Sequence, residues 1–346
     1  MQAIIEQFRE QVLSAKAPLR LRGGGSKDWY GQALQGEVLD TRAYAGVVDY
    51  EPTELVITAR CGTPLAEIEA LLAERGQMLA FEPPRYDAAS TIGGVAAAGL
   101  SGPRRAAVGA LRDFVLGAKL MDAKGEVLNF GGQVMKNVAG YDVSRLLAGS
   151  LGTLGLITEV SLKVLPQPVR EETIRFELDE IAALRAVNEW AGQPLPVSAT
   201  CWQRGVLTVR LSGADAAVKF ALAQLGGERV SDAAAFWDSL RDQTHDFFAA
   251  PELWRLSLPP VASALILGGE QLIEWGGAQR WLHAAPSAAA DIRRSVAAAG
   301  GHATLFRAQD KSAGAFHPLA PAVARIHERL KANFDPAGIF NPGRMY

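Results

Sequence analysis

The sequence predicts an α+β protein of two domains, and three observations carry that prediction. Between residues 15 and 168, short β runs alternate with glycine loops and one clear helix. Pro166-Gln-Pro168 then interrupts the pattern, because paired prolines stop a strand and stiffen a linker. Beyond it the hydrophobic runs follow the order β-α-β-β-α-β of a ferredoxin-like unit.

The start, Met1 to Glu10, mixes charges into its apolar spacing and reads as an amphipathic helix, not a signal peptide. Leu55 to Ala59 is a buried-strand run. Thr63 then offers an N-cap and Pro64 a first helical residue, ahead of an apolar stripe of Leu65, Ile68, Leu71 and Leu72 that ends at Gly76. Strands are expected at 114–121, 127–130 and 156–164, with Asp122-Ala-Lys-Gly125 turning the first two into a hairpin. In the second half, strands at 173–178, 198–202, 206–211 and 228–230 and helices at 179–190 and 214–225 complete one ferredoxin-like unit. The order recurs from Trp254: a strand, a short apolar segment, a hairpin over Gly276-Gly277, a helix at 287–299 and a strand at 302–307. Two such units would join into one sheet. Residues 309–320 read as loop and 322–333 as a last helix.

The glycine loops carry the chemistry. Gly23-Gly24-Gly25 follows a short apolar strand, and glycines there let backbone N–H groups approach a ligand without Cβ obstruction. Successive inward N–H groups form an anion nest suited to phosphate or pyrophosphate. Thr91-Ile-Gly-Gly94 and Gly152-Thr-Leu-Gly155 answer the first loop. Neither G-x-G-x-x-G opening a helix nor G-x-x-x-x-G-K-[ST] occurs, which excludes the Rossmann and P-loop readings.

Composition narrows the class. Of 346 residues 49% are apolar and 21% charged, and a net charge of −2 leaves no footprint for nucleic acid. No run approaches a transmembrane length, so a cytoplasmic protein is expected. Cys61 and Cys201 are far apart among apolar neighbours, which fits two reduced buried thiols and cannot hold an iron–sulfur cluster.

These motifs resemble the flavoprotein family of the vanillyl-alcohol oxidase type, with its PCMH-type FAD-binding domain. The residues concerned are Arg22 to Ser26, Thr91 to Gly99, Gly140 to Thr158 and Phe340 to Arg344. Within it, Met135-Lys-Asn-Val-Ala-Gly-Tyr-Asp142 is similar to the FAD-binding subunits of bacterial glycolate oxidase. The resemblance implies an FAD domain at 1–168, a ferredoxin-like α+β cap at 169–330, and a tail, 331–346, returning to the FAD domain. It implies that Arg22, Gly23, Gly24, Gly25, Ser26 and Lys27 wrap the pyrophosphate. Thr91, Gly93, Gly94 and Ala97 would run beside the pyrophosphate and flavin ring. Gly152, Thr153, Gly155 and Ile157 would contact adenine or ribityl, and Asn341 would return to the flavin side. The family's third loop usually has an acidic residue where this chain has Leu151. No histidine lies beside the first loop, where covalent members carry theirs, so the FAD should be non-covalent.

The resemblance further implies a subunit of a glycolate (2-hydroxy acid) oxidase complex, oxidising glycolate to glyoxylate in glycolate catabolism. Its partners would be a catalytic flavin subunit and an iron–sulfur subunit, and through that complex the chain would sit at the periphery of the inner membrane. Two alternatives stand beside this: a self-contained FAD-dependent oxidoreductase of another hydroxy acid or alcohol, or an assembly subunit with a vestigial flavin site. The five histidines form no cluster. His245 is either a base oriented by Asp246 or a capping residue, and His317 is the other candidate base. Arg104 and Arg105 would bind an anion or form a surface pair.

Overall fold

A computed structural model describes residues 1–132 and 142–345, so residues 135–141 of the similarity segment lie outside the described ones. The chain forms two compact units. Unit one comprises Met1–Ser101, Gly109–Pro166 and Pro318–Tyr346; unit two comprises Gly102–Val108 and Gln167–His317.

In unit one, Ile5, Phe8 and Val12 bury one face of helix Gln2–Ser14 against Leu19, Leu39, Tyr44, Met121, Ile339 and Phe340. Strands Leu19–Arg22 and Glu37–Asp40 pair in parallel, and Phe340 bridges Leu19, also in parallel. An antiparallel sheet of five follows, in the order Val47–Glu51, Val56–Arg60, Leu156–Lys163, Val115–Met121, Val127–Gly131. Its central strand, Leu156–Lys163, is buried at every position but the last, its polar Thr158, Glu159 and Ser161 included. At the expected hairpin, Asp122 Oδ1 accepts from the N–H groups of Lys124 and Glu126, both at 2.9 Å. This is an Asx turn.

Two local expectations fail in this unit. Helix Leu65–Ala73 is capped by Pro64, not Thr63. Thr63 Oγ1 instead accepts from Gly46 N at 2.9 Å and donates to Arg60 O at 2.7 Å, so it ties two loops together. The second glycine loop is also largely a helix, Ile92–Ala98, capped by Thr91 and closed by Gly99 in the left-handed region. Two glycines cost a helix roughly 1 kcal/mol each. Complete burial of Ile92 and Val95 outweighs that here.

Unit two holds an eight-stranded sheet. Its order is Glu228–Val230, Arg170–Glu177, Val206–Gly213, Val197–Gln203, Gln271–Glu274, Gln279–Leu282, Leu253–Ser257, His302–Arg307. Numbered within each half, this is four-one-three-two meeting two-three-one-four, the order of two ferredoxin-like units joined at their second strands. Helices Glu180–Ala191 and Asp215–Leu225 cover the first half, around Ile174, Val209 and Val218. Helix Ala289–Ala298 covers the second, around Trp254, Ile292 and Leu305.

The second half lacks its first helix. Pro259-Pro260 and Gly268-Gly269 disfavour one, and residues 258–270 are irregular apart from turns. Arg280, wholly buried, holds that segment in place by donating to Ala262 O at 2.6 Å and Ser263 O at 2.9 Å. Between the halves lies a helix the sequence left unassigned, Ala234–Asp242, anchored by the Trp237 indole N–H on Thr173 Oγ1 at 3.0 Å.

The two units depart from the limits 1–168 and 169–330 at residues 102–108, 167–168 and 318–330. Residues 102–108 belong to unit two, where Trp275 Nε1 donates to Gly102 O at 3.0 Å and Arg104 meets Glu171 at 2.7 Å. Helix Pro321–Phe334 belongs to unit one, because Lys331 Nζ donates to Thr153 O at 2.6 Å and Phe340 O at 2.7 Å.

Candidate flavin site

The three glycine segments converge in unit one on two adjoining clefts of about 510 and 380 Å³. Strand Leu19–Arg22 delivers the first loop, helix Ile92–Ala98 presents the second, and the turn before strand Leu156–Lys163 supplies the third. Arg22, Gly23, Gly24, Gly25, Ser26, Lys27, Thr91, Gly94, Ala97 and Asn341 line the first cleft. Gly93, Gly152, Gly155 and Ile157 appear in the second. Among the expected residues, Thr153 lines neither. Its hydroxyl donates to Ser150 O at 2.8 Å, which turns it into its own loop.

The first loop has the makings of an anion nest. The backbone N–H groups of Gly24, Gly25 and Ser26 find no hydrogen-bond acceptor among the described residues. Buried or half-buried N–H groups left without partners are uncommon, so three in succession at a cleft mark a place for a ligand's oxygens. Gly94 keeps that place open. A Cβ built there would meet only Thr91 Oγ1, at 3.4 Å, and would otherwise project into free space. Gly24 acts differently: a Cβ there would lie 1.5 Å from Ala89 O, so this glycine lets the first two loops touch. Charge surrounds the nest. Arg20 and Arg22 both meet Asp28, the latter at 2.8 Å, and Lys27 Nζ donates to Ser90 Oγ at 2.9 Å.

The tail fastens the site. Asn341 Oδ1 accepts from Leu21 N at 3.0 Å and its Nδ2 donates to Leu151 O at 2.7 Å, so one side chain spans the first and third loops. Arg344 donates to Gln32 O at 2.6 Å and Asp28 O at 3.0 Å. Burial pushes its guanidinium down to about 10, with Asp28 opposing the shift. Beneath both, Lys331 pairs with the buried Asp335 at 2.5 Å, while Asp335 also accepts from Ile339 N and Phe340 N.

Four lining residues were not foreseen: Asp28, Leu34, Thr41 and Cys61. A carboxylate next to a phosphate loop is unexpected from sequence until Arg20 and Arg22 are seen to neutralise it. Leu151, where an acidic residue was expected, lines both clefts and sits in the left-handed region at φ 51°. No histidine lines either cleft. The one lining thiol, Cys61, is pushed up to about 12 by burial, so it stays protonated and unreactive.

The two histidine candidates lie in unit two with local partners. His245 Nδ1 accepts from Phe247 N at 3.3 Å and caps a short 3₁₀ turn, beside Asp246 at 2.8 Å. His317 Nδ1 accepts from Ala303 N at 3.3 Å, and burial lowers its pKa from the ordinary histidine value, with Arg293 adding to the effect. Arg104 and Arg105 form no surface pair. Arg104 is buried on Glu171, and Arg105 lies 4.4 Å over the Trp275 ring.

Comparison with known proteins agrees with this geometry. Residues 2–131 match the family described as FAD binding domain. The chain is 51% identical to glycolate oxidase subunit GlcE of Escherichia coli (strain K12), over 100% of this chain and 97% of that one. It is 31% identical to glycolate oxidase subunit GlcD of Bacillus subtilis (strain 168), over 50% of this chain and 37% of that protein. A D-lactate dehydrogenase of Archaeoglobus fulgidus matches at 31% identity, over 52% of this chain and 41% of the other. In structure, alkyldihydroxyacetonephosphate synthase superposes with a TM-score of 0.69 at 15% identity, covering 98% of this chain and 74% of that one, a likeness of fold alone. Among the described residues no helix is long and apolar enough to cross a membrane, and no cluster of His, Cys, Asp and Glu would hold a metal. This chain is a flavoprotein whose cofactor is FAD, and it belongs to the family of glycolate oxidase subunit GlcE.

Proposed function

We propose that this chain is the FAD-binding subunit of a complex that oxidises glycolate to glyoxylate. A second flavin subunit and an iron–sulfur subunit complete the complex. The three partnerless N–H groups of Gly24, Gly25 and Ser26, at a cleft lined by all three glycine segments, carry the reading. The full-length identity to a glycolate oxidase subunit supplies the substrate class. When bound, FAD supplies the two-electron acceptor for oxidation of an alcohol.

The chain's own residues hold the cofactor. The N–H groups of the first loop bind pyrophosphate oxygens, and Arg22 and Lys27 add positive charge. Gly94 allows close approach, while Asn341 keeps the first and third loops at their spacing. Attachment is non-covalent, since the lining contains no histidine and its thiol stays protonated. The substrate's base belongs to the partner, because His245 caps a local turn and His317 is engaged by Ala303 N of strand His302–Arg307. The protein works in the cytoplasm and reaches the inner membrane through its complex.

The test is the flavin spectrum of the full chain under anaerobic glycolate. The purified chain should be yellow, release all its flavin on acid precipitation, and bleach with glycolate only when its partner subunits are present. Bleaching by the chain alone would instead make it a self-contained oxidoreductase.

A further inference from the structure

Helix Pro321–Phe334 differs from every other long helix among the described residues. The other helices of nine or more residues each bury two or three of their own side chains, and this one, with fourteen residues, buries none. Its second half is tethered through Lys331 and through Phe334, whose ring lies 6.2 Å from that of Phe130. Its first half carries an apolar stripe that is exposed among the described residues, Val323 and Ile326, with Leu319 upstream; half-buried Leu330 and Phe334, the latter packed on Phe130, continue it at spacings of four. Leu319 and Val323 are 41% exposed and Ile326 56%.

Single apolar side chains at a surface are ordinary, but a helical register of them is a packing face. Spacings of three and four describe the seam that one helix offers to one other helix. The flank of this seam is basic. Arg325 and Arg329, four residues apart and exposed, make no ion pair among the described residues. Such a flank selects acidic residues beside the partner's seam and repels basic ones.

We propose that this face docks an amphipathic helix of a second polypeptide, apolar along its seam and flanked by Asp or Glu. The proposal rests on the subunit reading above and names the surface through which the complex is held. Fourteen residues with two flanking cations and no exposed aromatic make a poor membrane anchor, which favours a protein partner. The same helix holds the third flavin loop through Lys331 Nζ on Thr153 O. Docking and cofactor loop therefore share one element.

The experiment replaces Ile326→Glu in the full chain, in the cells that make its complex, with Ala332→Glu as an off-stripe control. Mass by light scattering and flavin content are read on the affinity-purified protein. The unaltered chain and the control should run as a complex containing a second polypeptide. Ile326→Glu should run at the 36.9 kDa of the single chain with its flavin retained, since position 326 is remote from the clefts' lining. Reversing Arg325→Glu with Arg329→Glu should weaken the complex about tenfold or more. An Ile326→Glu chain that stays in the complex overturns the surface and leaves the subunit reading standing. A single-chain mass for the unaltered protein overturns both. A homodimer dispersed by Ile326→Glu replaces the partner with a second copy. Binding of the purified chain to phosphatidylcholine–phosphatidylglycerol vesicles, lost in Ile326→Glu, replaces it with a lipid surface.

Discussion

At the scale of single residues, glycines of one cleft do different work, and a methyl group separates them. A Cβ at Gly24 would fall 1.5 Å from Ala89 O, whereas one at Gly94 meets nothing closer than 3.4 Å. Gly24→Ala should therefore destabilise unit one by about 3 kcal/mol, the upper range for overpacking, and lose flavin as a consequence. Gly94→Ala should leave the melting temperature unchanged or raised, since alanine favours a helix by about 1 kcal/mol. It should still weaken FAD binding roughly tenfold, or ~1.4 kcal/mol. Thermal melts beside fluorescence titration of FAD check both, and a Gly94→Ala chain with full affinity would remove that residue from the site. The triplet Gly23-Gly24-Gly25 was legible as a candidate ligand loop only together with Thr91 to Gly94 and Gly152 to Gly155, since alone it reads as a flexible turn. Its division of labour was not, because Ala89 lies far along the chain and only the fold brings its carbonyl under the loop.

At the scale of elements, helix Pro321–Phe334 was legible as a helix and misassigned as to its unit. Lys331, bonded to Thr153 O, Phe340 O and Asp335, ties it to unit one, with the Phe334 ring on Phe130 beside it. No periodicity announces such a tether. Lys331→Met would leave Asp335, whose side chain is fully buried, without its cation. Removing one partner of a buried pair costs about 3–5 kcal/mol, so denaturant unfolding should shift by that much, and flavin should be lost on gel filtration. Lys331→Arg should restore part of both. A variant as stable as the parent would show the tether to be dispensable. Helix Ile92–Ala98 was hidden by its own composition, since glycine and alanine read as loop until the buried Ile92 and Val95 are counted.

At the scale of the whole molecule, the doubled βαββαβ pattern was readable because each half keeps its own strand and helix periods. The absent helix at 258–270 was readable only as a short apolar segment, and Arg280, which secures it, looks from sequence like any strand arginine. The segment 102–108 was read with the flavin loop because it follows it directly. Its contacts with Glu171 and Trp275 are long-range and left no local signal. Glu171 gives unit two a pH dependence. Burial alone would raise its carboxyl; Arg210, Ser212 and Arg104 outweigh that and hold it below its ordinary value of 4.5. A carboxyl lower in the folded state stabilises above the unfolded value and loses that contribution as pH falls through the folded one. The melting temperature of the parent should therefore exceed that of Glu171→Gln at pH 7, and the gap should close as the solution is taken below pH 4.5. A gap constant with pH would assign the stabilisation to packing.

The bond between Leu21 N and Asn341 Oδ1 joins residues 320 positions apart, and that separation has a consequence in time. At about 5–20 residues per second, a ribosome needs roughly a quarter of a minute to a minute to pass from one to the other. For most of that interval the first loop is outside the ribosome and the residue that sets its distance from the third loop has not been made. Every strand of unit two precedes Pro318, so that unit has its full sequence before the clasp arrives. Capture of FAD thus waits for residue 341, after every strand of unit two has been made. A translation product that stops short of Asn341 should be colourless even where its second unit is folded, which makes colour a readout of synthesis through that residue.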